Sequence, residues 1–194
     1  MTFPTLAVIT FVIATFGFGL GWPFTVCAEE GSAPATVQAQ ILARLLPFDR
    51  SFATKVKDNV VVVLLEKPGN SESSSSVKQI AKALDGVGKI GGHHITVSVV
   101  AFSGAGPAVA TCKSKGAHAV YVSPGLGSDT GAFAAALVGS GIVSFAAVES
   151  YVPSGISVGV SIVSGKPQMS INLAKARAQR IDFPATVLKL AKVY

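Results

Sequence analysis

At 194 residues the chain has room for one domain of ordinary size, and that length buries a substantial core. Charged residues make up 13% against 49% apolar ones, well under the roughly 25% charged share of a soluble domain, and the first 28 residues hold no Asp, Glu, Lys or Arg at all. The net charge of +6 therefore sits on the remainder, with Lys and Arg scattered in ones and twos and no aromatic interleaving, which excludes nucleic acid as the expected partner.

Thr5 to Trp22 is an unbroken run of apolar and small residues, and Val26-Cys27-Ala28 ends on the small residue that signal peptidase requires. Residues 1–28 are therefore expected to be a secretory signal, which places the mature chain in the periplasm. The run approaches the roughly 18 to 20 residues of a bilayer span, so an uncleaved anchor is the alternative; a lipoprotein is disfavoured because Val26 precedes Cys27. Cleavage after Ala28 leaves Cys112 as the sole cysteine, with no intrachain disulfide framework. Residues 29–34 read as a linker and 35–194 as the domain.

From Ala35 the spacing of Val37, Ile41, Leu42, Leu45 and Leu46 predicts a helix that stops near Pro47. Val60 to Leu65 is a nearly pure β-branched run, as expected of a strand covered on both faces in a parallel sheet. Lys67 to Ser76 reads as a turn-rich loop whose serines cap a helix from Val77 to Leu84; with one glycine and no Gly-Lys-Ser/Thr ending it is not a nucleotide loop. Gly86 to Gly92 is a flexible connection, and Ile95 to Ala101 the next strand. A helix around Val109, Ala110 and Cys112 leads to the strand Ala119–Val122. Ala132 to Val138 form another helix and Ile142 to Phe145 another strand. This alternation predicts an α/β fold, a three-layer sandwich with a mostly parallel central sheet.

At the C-terminal end Ile156, Val158, Val160 and Ile162 alternate with small or polar residues, Ser164 to Pro167 offers a turn, and Met169, Ile171 and Leu173 alternate again, which predicts an antiparallel hairpin. Asn172 stands where its side chain caps a helix beginning at Ala174. After Pro184, Val187, Leu188, Leu190, Ala191 and Val193 fall on one face of a further helix.

Ser123-Pro-Gly-Leu-Gly127 is the best candidate site. A glycine-containing loop at the carboxyl end of a parallel strand sets free amides where an anionic or polar ligand docks, with Ser123, Gly125 and Gly127 as contacts. The plainer reading is a sharp strand-to-helix turn with Asp129 or Thr130 as cap. His93 and His94 are adjacent on a strand and point to opposite faces, and only His118 accompanies them, so no metal site and no cofactor is expected. Cys112 is a possible redox residue because Lys113 and Lys115 flank it, although its spacing beside Val109 and Ala110 also suits a buried small hydrophobe. No nucleophile stands in an elbow or triad context, so the chain is not expected to be an enzyme. A hydrolase would need a pocket holding a perturbed His or carboxylate.

The hairpin, Ile171-Asn172-Leu173, Ala176-Arg177, Phe183 and Leu190-Ala191-Lys192-Val193, following Tyr121-Val122-Ser123, resemble the YfiR-like family of periplasmic regulators over roughly residues 35 to 194. Where relatives commonly continue the opening helix into Phe-Val-x-Trp-Pro, this chain has Leu46-Pro47-Phe48-Asp49-Arg50. The resemblance implies a non-catalytic regulator that restrains a membrane-bound signalling protein, a diguanylate cyclase, by protein contact; the sequence leaves a homodimer open. The alternative is a single-domain small-ligand receptor related to the solute-binding components of transporters.

Overall fold

The computed structural model describes residues 32–194. The expected leader and most of the linker lie outside them. In chain order the elements are α1 (Ala35–Leu45), α2 (Phe52–Lys55), β1 (Val60–Glu66), α3 (Ser71–Val87), β2 (Lys89–Ile90), β3 (His93–Ala101), α4 (Ala105–Ser114) and β4 (Ala119–Val122). Then come α5 (Thr130–Ala136), β5 (Val143–Ala146), α6 (Tyr151–Ser154), β6 (Val158–Val163), β7 (Lys166–Ile171), α7 (Leu173–Ala178), α8 (Ala185–Leu188) and β8 (Ala191–Val193).

One eight-stranded sheet carries the domain, in the order β2-β3-β1-β4-β5-β6-β7-β8. The run β3, β1, β4, β5, β6 is parallel throughout. The chain moves from β1 to one side and then returns to place β4 on the other, so a topological switch point lies between β1 and β4.

The β-branched run of β1 behaves as its composition requires. Val62 and Leu64 enter one core, with Leu42 of α1 and Ile80 and Leu84 of α3. Val63 and Leu65 enter the other, with Val109 and Cys112 of α4 and Phe133 and Leu137 around α5. A strand sealed on both faces needs apolar residues at every position, and helices on both faces complete the expected three-layer sandwich.

The hairpin is β6 against β7, antiparallel from Val158 opposite Ile171 to Val163 opposite Lys166. Ser164 and Gly165 both have positive φ, 50° and 74°, as a two-residue type I′ connection demands. Pro167 sits inside β7, but β8 pairs only with Met169 to Ile171, so the missing amide costs no ladder bond on that side.

Three expectations on element boundaries are corrected. The serine run is helix, because α3 begins at Ser71 with the Asn70 side chain accepting from the Ser73 amide at 2.8 Å. Two of the serines inside it are turned to the sheet: Ser73 Oγ accepts from the Lys67 amide at 2.8 Å and Ser74 donates to the Glu66 carboxylate. The connection 86–92 contains β2, which pairs with His93 and His94. Finally, the last helix stops at Leu188 and the chain becomes β8, parallel to β7. The edge of β7 offers unpaired backbone groups there, and the Tyr194 amide donates to the Ile171 carbonyl at 2.9 Å.

Candidate functional site

Strand β4 delivers Ser123-Pro-Gly-Leu-Gly127 to the switch point, as the sequence reading expects, and the loop after β1 meets it there. Ser123 is fully buried, its Oγ 2.6 Å from Ser73 Oγ. Lys67 Nζ donates to the Gly125 carbonyl at 2.6 Å. Gly125 has φ +84°, and a Cβ there would meet Asn70 Nδ2 at 2.8 Å, so the turn and the close approach both require glycine. Gly127 lies against the Tyr151 ring, where a Cβ would stand 3.0 Å from Cε1. Burial pushes the Tyr151 phenol up, and the backbone amides of Gly125, Gly127 and Leu126 pull it back. The loop's polar groups thus meet side chains of its own chain, and Thr130 Oγ1 bonds the Gly127 carbonyl at 2.8 Å to start α5.

Beside this loop is a cavity of about 290 Å³, roofed by the first turns of α1 and α3 and floored by β4. Gln38, Glu72, Ser76, Tyr121, Pro34 and Pro124 line it. Tyr121 is buried under α3, and its hydroxyl lies 2.9 Å from Ser76 Oγ. Burial pushes its pKa up to about 12, only partly offset by Ser76, so it remains a neutral hydroxyl.

Gln38 is 3% exposed. Its Nε2 donates to the Ala33 carbonyl at 2.7 Å and lies 3.4 Å from the Ala147 carbonyl, which fixes the amide orientation, since the reverse would oppose oxygen to oxygen. Oε1 then has no donor among the described residues. A buried carbonyl without a partner costs roughly 1–3 kcal/mol of desolvation. Sequence reasoning missed Gln38, because a polar residue among Val37, Ile41 and Leu42 reads as the solvent side of the helix; in the structure the buried face carries Gln38, Ala39, Leu42 and Leu45.

The other sequence-singled residues lie elsewhere. Cys112 is buried in the core under α4, and burial pushes its thiol up to about 11, which works against a thiolate. His118 sits at the opposite end of the sheet: Nδ1 accepts from the Val61 amide at 3.1 Å, leaving Nε2–H facing the Lys55 carbonyl at 3.4 Å. Burial, with smaller contributions from Lys55 and His93, holds its pKa below 6.5 despite the Lys55 carbonyl. Those bonds fasten α2 and β1 to the loop before β4. Among the described residues no group of three His, Cys, Asp or Glu side chains could hold a metal ion, and no helix is long and apolar enough to cross a membrane.

A second concavity, about 320 Å³, runs between the end of α1 and the β7–β8 edge. Ile41, Leu45, Phe48, Met169, Val187 and Leu190 line it, with Arg44 on its rim. Phe48 is 51% exposed and Leu190 80% exposed.

No curated protein matches the chain. Among solved structures it is similar to an ABC domain in complex with L-Trp from Streptococcus pneumonia, with TM-score 0.62, 16% identity, 82% of this chain and 61% of that chain covered. It is similar also to a conserved domain protein from Vibrio cholerae, with TM-score 0.57, 15% identity and coverage of 83% and 60%. A ligand-free, open substrate-binding protein with adhesive properties from Clostridium difficile aligns with TM-score 0.53, 11% identity and coverage of 74% and 57%. The chain thus spans about three fifths of the length of the structures it matches, and the likeness is one of fold. A family model described as YfiR/HmsC-like matches residues 35–192, so the chain belongs to the YfiR/HmsC-like family.

Proposed function

We propose that the chain is an exported, non-catalytic regulator that acts in the periplasm and restrains a membrane-bound diguanylate cyclase by direct contact. Family membership supports the regulatory role, and the observation that carries the contact reading is the apolar groove around Phe48 and Leu190. Leu190 leaves 80% of its surface in water, although burial of a leucine is worth roughly 1.5–3 kcal/mol. Its place beside Phe48 and Met169 makes a continuous apolar face, suited to an apolar segment of the partner. In this reading the leader 1–28 is removed and the mature chain begins at Glu29, which mass spectrometry of the protein from the native host checks. Deleting the gene raises cyclic di-GMP and biofilm formation; complementation with wild type restores both, and complementation with Leu190→Asp, folded to the same extent, does not. Unchanged cyclic di-GMP in the deletion strain sinks the proposal.

A second reading, a receptor for a small ligand, draws its support from the cavity between the first turns of α1 and α3, whose volume lies near the lower end of small-molecule sites. Of the glycine loop, Pro124 lines that cavity, while Ser123, Gly125 and Gly127 are not among its walls. A thermal-shift screen against metabolites separates the two, since a ligand that binds the native state raises the melting temperature by mass action.

A further inference from the structure

We propose that the outer edge of β3 pairs antiparallel with β3 of a second copy of this chain, centred on Ser98, so that two sheets join into one. Strand β3 pairs with β1 along its inner side from Ile95 to Ala101, whereas β2 covers only His93 and His94 on its outer side. The Ile95 amide reaches outward to the Gly88 carbonyl, and the Phe102 amide reaches inward to the Glu66 carbonyl. Backbone groups alternate in direction along a strand, so those of Val97, Val99 and Ala101 point outward. Among the described residues no strand pairs with them. Natural sheets blunt such edges by shortening them or placing Lys or Pro on them. The other margin of this sheet is blunted in that way, since β8 has three residues and Lys192 among them. Ile95 to Ala101 carries no charge, proline or glycine, and Val99 leaves 51% of its surface in water.

A second copy is the occupant that fits. The free stretch is bounded by β2 at His94 and by the departure of the chain at Phe102, and Ser98 is its midpoint. A twofold axis at Ser98 therefore pairs the whole stretch with itself. Val97 then faces Val99 of the other copy, on the side where Ile95 and Val97 pack against the core of α1 and α3, and Thr96 faces Val100 on the other side. The chain carries a net charge of +6, so a surface that meets itself must be free of Lys and Arg, as this one is. The chain's own N-terminal segment does not reach the edge. It enters at Ser32 beside Ser161 of β6, four strand spacings or about 19 Å from β3, and after leader removal residues 29–31 span at most about 10 Å.

The test is sedimentation equilibrium of the exported chain, with cysteine crosslinking to read the register. Wild type is expected to pass from monomer to dimer between about 1 and 100 μM. Val99→Lys, at a half-exposed position, is expected to keep the far-ultraviolet circular dichroism of the monomer and to weaken the dimer by about tenfold or more. Val99→Pro removes an outward amide and no bond to β1, and is expected to weaken it likewise. Cys112 lies in the core, so Ser98→Cys is expected to give a disulfide-linked dimer under mild oxidation, because the axis sets the two Cα atoms about 4.5 Å apart. Thr96→Cys, whose two copies would stand about 13 Å apart, is expected to give none. A monomer up to about 100 μM, a dimer that Val99→Lys leaves intact, or crosslinking of Thr96→Cys as fast as Ser98→Cys each overturns the proposal.

Discussion

Ser144, Ser157 and Gln179 are all but inaccessible to water, yet each polar atom finds a partner within the trio or its backbone. Gln179 Nε2 donates to Ser144 Oγ at 3.0 Å, the Ser157 amide donates to the same oxygen at 2.9 Å, and Ser157 Oγ donates to the Ser144 carbonyl at 2.8 Å. This cluster joins β5, the start of β6 and the end of α7 where the strand ladder between β5 and β6 is only two residues long. Gln179→Leu removes the side chain that both donates to Ser144 Oγ and accepts from it and leaves Ser144 underpartnered, so a loss of about 1–3 kcal/mol is expected, read from the urea midpoint at unchanged slope. None of this is legible in the sequence, where three polar residues spread over 36 positions look like solvent-facing chain. The glycine loop shows the same division. Its place at the end of β4 follows from the pattern of apolar runs and turn residues, whereas Lys67 and Ser73, which engage its polar groups, and Asn70, which packs against Gly125, come from about fifty residues upstream. Local chemistry predicts the turn; only the fold brings its contacts.

Strand β8 illustrates the limit at the scale of the element. Val187, Leu188, Leu190, Ala191 and Val193 satisfy a helical period, but three residues of Ala191–Val193 also satisfy a strand, and a free sheet edge decides between them. What holds the segment is Glu149 from the loop after β5. It accepts from Tyr194 Oη at 2.6 Å and from Ser170 Oγ at 2.9 Å, with Lys192 Nζ at 3.5 Å. Burial works to raise its pKa, and these partners outweigh burial and hold it below 4.5. Asp49 is held below 3.8 in the same manner: burial opposes, while Lys55, Ser51 and the Asp182 amide prevail. Together with His118, depressed below 6.5 mainly by burial, these groups set the acid response. In each case the unfolded chain takes up its proton at a higher pH than the folded one, so the stability they contribute is complete above their ordinary values and is lost as pH falls through the folded ones. The urea midpoint is expected to decline first below about pH 6.5 through His118, then more steeply below about pH 4.5 through the carboxylates. Glu149→Gln should flatten the second phase while leaving the first; a midpoint independent of pH from about 7 to 4 would refute the assignment.

For the molecule as a whole, the three-layer order was legible because parallel strands sealed on both faces need unbroken apolar runs, and Val60 to Leu65 and Ala119 to Val122 supply them. The candidate surfaces were not, because both arise from residues far apart in the chain. Phe48 and Leu190 meet at the groove, and Gln38 and Glu72 at the cavity. The two surfaces also differ in how they should respond to substitution. Phe48 and Leu190 contribute little to the core, so Leu190→Asp is expected to shift the thermal midpoint by no more than the equivalent of about 0.5 kcal/mol while abolishing any contact the groove makes.

The central place of β1 sets the order in which backbone protons trade with solvent. Its amides Val62 to Leu65 are covered by both cores and paired on each side, with β3 and β4, so they exchange with deuterium only when the entire domain opens. Those of β8, pinned chiefly through one carboxylate, exchange by fraying at a lower free energy. A partner or ligand that docks at the β7–β8 margin would therefore announce itself as slower deuteration of Ala191 to Val193, with the rates in β1 left to report global stability alone.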